Sequence, residues 1–176
     1  MTKPTFSLTH QDPRLIELVG KTDHKILGIW AKECAECVFP YFENDHHRDS
    51  RPRQALEVLQ AWIDTGVFRM AEIRKASLDS HAAAREVGEN NPARSAARAA
   101  GQAVATAHVR THAPVAAIYA LQAIHCTTDS SQIEALLTVE RDWQWRRLVE
   151  LNAADGVEPA PPECRTNSFK EIPQRG

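Results

Sequence analysis

Residues 71–124 limit what this chain can become more than any other stretch. A third of them are alanine, and the larger apolar residues among them recur at spacings of three and four. Alanine has the highest helix propensity and places almost no side chain at a contact. Helices built this way can pack unusually close, backbone to backbone. Three histidines, His81, His108 and His112, fall inside this small-residue environment. The expected fold class is all-α: a single-domain bundle of about six or seven helices, mostly antiparallel helical hairpins, followed by an irregular C-terminal tail.

At 176 residues the chain fits one core and needs no staples. A net charge of −2 leaves no footprint for nucleic acid or for an anionic membrane. No apolar run approaches the ~18 residues that a bilayer span requires. The opening MTKPTFSLTHQD has no signal-peptide core, so the expected location is cytoplasmic. Four cysteines are then expected to be reduced. Cys34 and Cys37 form one CxxC with no matching second pair, which reads as two thiols on a buried helix face.

A first helix is expected from Pro13 to Val19, capped by Asp12 and stopped by Gly20. Asp23 caps a second, residues 24–44, kinked or ended by Pro40. Asp49 or Ser50 caps a third over 52–64, and Gly66 ends it. A fourth spans about 69–87, with His81 on its core side. Asn91 and Pro92 start a fifth, reaching to about 110, with Ala97, Gly101, Val104 and His108 inward and Arg94, Arg98 and Gln102 outward. Gly101 in mid-helix implies a neighbouring backbone close by. Pro114 breaks the pattern, and a sixth helix follows over 114–125. Asp129 or Ser130 caps a seventh, residues 131–153, whose inward line contains Glu140. The division expected is a helical domain over 1–153 and a proline-rich tail over 154–176.

Two constellations could carry chemistry. His108 and His112 are four apart, and His81 faces them if the fourth and fifth helices are antiparallel. Three imidazoles can hold zinc with an open position, but HExxH is absent. The plainer reading has them filling polar gaps between Ala-rich helices; no metal or cofactor is expected, and any metal would fall to these three. The second constellation is Asp49, Arg51, Arg53, Arg85 and Glu140, read as an interior ion network that fixes helix register, with an exposed recognition patch as the alternative. The adjacent His46 and His47 read as a solvated loop. GxSxG, P-loop, GxGxxG and EF-hand signatures are missing, and no catalytic residue is assigned.

The phrases WAKECAECVFPYFE, RDSRPRQALEVLQAW, SHAAAREV, ARSAARAAGQAVATAHVRTHAPVAAIYALQA and ERDWQWRRLVEL occur in that order. Together they resemble the all-helical Imm-5-like immunity proteins of bacterial polymorphic-toxin systems, over roughly residues 7–151. Two departures stand out: Gln60 replaces an expected arginine, and the last helix lacks a proline near its end. The resemblance implies a non-enzymatic protein that binds and neutralises a cognate toxin. Asp49, Arg51, Pro52, His81, Arg85, His108 and His112 are the motif positions it singles out. The alternatives are a metal-binding helical bundle or metal-dependent enzyme using His81, His108 and His112, and a helical scaffold or regulator that dimerises through Ala-rich faces.

Overall fold

The computed structural model describes residue 6 and residues 12–127 and 132–154. Among them are eight helices and no strand, so the all-α expectation holds. The helices are α1 (Pro13–Lys21), α2 (His24–Val38), α3 (Pro40–Asp45), α4 (Arg51–Thr65), α5 (Met70–Glu86), α6 (Pro92–Ala105), α7 (His112–Thr127) and α8 (Ile133–Ala153).

Local chemistry sets most boundaries. Asp12, Asp23 and Asn91 each accept a backbone N–H two residues on, from Arg14 (2.9 Å), Lys25 (2.8 Å) and Ala93 (2.8 Å). Gly66 ends α4 with a positive φ of 67°, a conformation natural to glycine, and donates to the Trp62 carbonyl at 2.8 Å. Gly20 does not stop α1, which runs one residue past it, to Lys21. Pro40 divides the expected 24–44 helix into α2 and α3, because it has no N–H to continue the ladder. Asp49 caps α4 by accepting from Arg51 N at 3.1 Å, and the Ser50 side chain takes no part. Residue Gln132 precedes α8 without a side-chain cap; the expected caps Asp129 and Ser130 lie outside the described residues, as does the tail from 155 on.

The largest correction concerns the stretch before Pro114. α6 stops at Ala105 rather than near 110, and α7 begins at His112, two residues before the proline. Between them the chain tightens: the N–H groups of Ala107 and His108 reach the carbonyls of Val104 and Ala105, three residues back. His108 and His112 therefore do not share a regular helix, although the turn still brings their rings to 5.2 Å.

α6 is the axis of the bundle. Ten of its 14 residues are buried, seven of them alanine, and α2, α3, α4, α5 and α7 all lie against it. The α5–α6 pair is antiparallel: Ser77 Oγ donates to Gly101 O (2.9 Å) and Ser80 Oγ to Ala97 O (2.7 Å). The α6–α7 pair is antiparallel too, joined by Ser95 to Gln122 (3.2 Å) at one end and Gln102 to His112 (2.7 Å) at the other. α8 closes the far side against α2 and α7, and α1 lies over α8 with no buried residue of its own. No helix among the described residues is long and apolar enough to cross a membrane.

Candidate functional site

The small residues that put α6 at the centre also decide what it can show outside. Beyond Pro92, the residues of α6 that are not buried are Arg94, Arg98 and Gln102, spaced by four and so on one stripe. On the adjoining flank of α5, Arg74, His81 and Arg85 lie at offsets of seven and eleven, again one stripe. His112 borders Gln102 from the α7 side. The His81 ring lies on Gly101, where a Cβ would stand 3.0 Å from its Cε1 and 3.2 Å from its Nδ1. The close neighbour that explains Gly101 is thus an imidazole and not a backbone. A second such contact escaped the sequence: a Cβ on Gly28 would come within 2.7 Å of the Trp62 ring.

Hydrogen bonds thread the strip. Arg98 Nη1 is 3.5 Å from His81 Nδ1, the Gln102 amide nitrogen is 3.4 Å from His81 Nε2, and the Gln102 oxygen is 2.7 Å from His112 Nδ1. Both His81 nitrogens then face donors, whereas a neutral imidazole has one donor and one acceptor. Turning the Gln102 carboxamide by 180° removes the conflict. Arg98 then donates to His81 Nδ1, His81 Nε2–H to the Gln102 oxygen, and the Gln102 amide to His112 Nδ1. Burial, then the Arg98 and Arg85 charges and His112, push His81 down to about 4. Burial, then His108, lowers His112 as well. Neutral rings are what this chain of donors and acceptors requires.

What the strip offers chemically is hydrogen-bond donors, the guanidinium and carboxamide groups of its side chains. Ser77 and Ser80 both give their protons to α6 carbonyls, so neither is set up as a nucleophile. His81 presents no free lone pair to a metal, since Arg98 and Gln102 flank its nitrogens. Buried His108 Nδ1 has no hydrogen-bond partner. Among the described residues no group of three His, Cys, Asp or Glu could hold a metal ion.

The second expected constellation does not assemble as an interior network. Arg51 forms a surface bridge, with Nη2 2.6 Å from Asp49 and 2.6 Å from Glu86, tying the start of α4 to the end of α5. Its hydrogen bonds hold both carboxyls below their ordinary range. Arg53 pairs with Glu43 (2.7 Å) and covers the Phe39 ring at 4.2 Å. Arg85 is exposed, whereas Glu140 is buried on α8 and accepts from Gln144 at 3.0 Å. His46 stacks on Phe42 and His47 is exposed. Cys34 and Cys37 are buried on the core face of α2.

The interior ion pair is one the sequence reading missed. Arg147 of α8 grips Glu33 of α2 through two bonds of 2.7 and 2.6 Å, with side chains 2% and 8% exposed. The signal was present: Glu33 is three residues from Trp30 and Arg147 four from Trp143, each on an inward line. Beside this pair, Gln144 donates to Ala117 O (3.1 Å) and Trp30 Nε1 donates to Gln144 O (2.9 Å).

A groove of about 1120 Å³ lies elsewhere, between α1, the start of α7 and α8. Leu15, Ile16, Ile118 and Leu121 line it, and Arg14 and Arg141 stand at its edge. These arginines are occupied, by Asp12 (2.7 Å) and Glu134 (3.7 Å) respectively.

Fold and site together define an all-helical, single-domain protein with a polar strip of arginine, histidine and glutamine along α5 and α6. The family follows from comparison: the model of the Imm-5 like putative immunity protein family matches residues 17–151, and the chain belongs to that family. Compared with curated proteins and with solved structures, the chain matches none.

Proposed function

We propose that this protein binds a cognate bacterial toxin and neutralises it by occlusion, without catalysis, in the cytoplasm of the cell that makes it. The observation that carries this reading is the family match over residues 17–151, which takes in all of the bundle from α2 to the last turns of α8. The geometry is compatible with it. A close-packed α6 core gives a rigid platform, which lowers the ordering cost of binding.

Co-expression tests the reading. The toxin domain encoded beside this chain's gene, induced alone, should arrest growth, and induction with this chain should restore it. Purified chain and toxin should co-elute as one complex. Unrelieved toxicity together with separate elution, for every linked toxin, would remove the proposal.

A further inference from the structure

We infer that the strip across α5 and α6 is the surface that meets the toxin, and that it takes an acidic protein surface. This rests on the toxin-binding reading above and specifies its site.

Arg74 and Arg85 of α5 and Arg94 and Arg98 of α6 form no ion pair among the described residues. The carboxylates of α5 are engaged elsewhere. Glu72 is held by Arg69 (3.6 Å), Asp79 by Lys75, and Glu86, which also feels Arg85, by Arg51 (2.6 Å). Arg94 donates to Val87 O (3.3 Å) and Arg98 approaches His81, so both are held in place with donors to spare. A guanidinium carries five N–H donors and pairs bidentately with carboxylates. Leu78, 56% exposed, sits four residues from Arg74 and seven from Arg85, an apolar contact among cations.

Charge decides between the two candidate surfaces. The α1–α7–α8 groove is larger, but of its four arginines Arg14 and Arg141 are already met by carboxylates, Arg110 donates to the carbonyls of Val19 and Thr22, and Arg146, which donates to the Asp142 carbonyl, has no carboxylate among the described residues. An incoming acidic surface would have to break those pairs there, and none on the strip. The chain as a whole carries −2, so four unpaired arginines on one face make a localised field. That field steers a compact acidic patch.

The test titrates the catalytically silenced toxin domain encoded beside this gene against wild-type chain, the exposed double variant Arg74→Glu/Arg85→Glu, and the groove control Arg146→Glu. Circular dichroism and melting temperature check that each variant is folded. The double variant should lose affinity by about 100-fold and Arg98→Gln by roughly 10-fold, with the wild-type association rate falling steeply with salt. Arg146→Glu should stay within about threefold of wild type. A folded double variant that binds like wild type overturns the assignment and leaves the toxin-binding reading standing. A wild-type chain that binds no linked toxin ends both. A fluorescent DNA duplex bound by the wild type and lost in the double variant, with toxin binding unchanged, would make the strip a nucleic-acid site and overturn the assignment too.

Discussion

Two regions of this small bundle treat charge in opposite ways. Between α2 and α8, one arginine and one glutamate are sealed from water, and the side chains around them are large: Trp30, Gln144, Leu148. Between α5 and α6 the contact is made by alanine, glycine and serine, and the charges are pushed to its edge, where four arginines stand without a carboxylate among the described residues. A buried pair has already lost its hydration, so removing one member strands the other. An edge cation keeps its water until a partner displaces it. Hence the first region should hold the fold and tolerate little, and the second should tolerate much and serve binding.

The largest effect should come from splitting the sealed pair. Arg147→Ala should destabilise the fold by about 3–5 kcal/mol by urea titration, as expected for an uncompensated buried carboxylate. Arg74→Glu/Arg85→Glu, by contrast, should move stability by no more than about 0.5 kcal/mol per site. Equal losses in the two would erase the contrast. Next is Gly28→Ala, which drives a methyl into the Trp62 ring and should cost about 1–3 kcal/mol.

Acid sharpens the picture of the strip. The folded His81 titrates near 4, below the ordinary 6.5. As pH falls below 6.5 the unfolded chain takes up its proton first, so stability present at neutral pH drains away until about 4. His112 shifts in the same direction and adds to the loss. The melting temperature should drop across this window in wild type and drop less in His81→Gln; parallel pH profiles would remove His81 from the explanation. Gln102→Glu should raise the His81 pKa, read by NMR titration, because a carboxylate accepts from both rings and favours their protonated forms. The smallest effect is a coupling. Gly101→Ala should gain about 1 kcal/mol of helix propensity when His81 is also alanine, and little or none when the ring is in place.

Local rules carried the fold further than the site. Asp12, Asp23, Asn91 and Gly66 could be read as caps because capping involves only residues two to four apart. Pro114 announced a break, but its position did not say how far back the disruption would reach. Its missing N–H touches only the carbonyl of Arg110, four residues back, whereas α6 already ends at Ala105 and α7 takes Pro114 into its first turn. The outward stripe of Arg94, Arg98 and Gln102 followed from periodicity, whereas His81, expected on the core side, lies half-buried at the edge, on the stripe of exposed Arg74 and Arg85. What periodicity cannot supply is pairing at a distance. Glu33 and Arg147 are 114 residues apart. The expected interior network instead joined Asp49, Arg51, Arg53, Arg85 and Glu140, and the structure separates them: Arg51 is half-buried, Arg85 is exposed and Glu140 is in the core. Gly28 packs against Trp62 of another helix for the same non-local reason.

The most direct test is an NMR titration that follows the arginine side-chain Nε–H resonances as the silenced toxin domain is added. Arg74, Arg85, Arg94 and Arg98 should shift in step with toxin concentration, while the sealed Arg147 and the groove's Arg14 and Arg141 stay where they are. Shifts confined to Arg14, Arg141 and the α1 amides, with the α5–α6 arginines unmoved, would contradict the account.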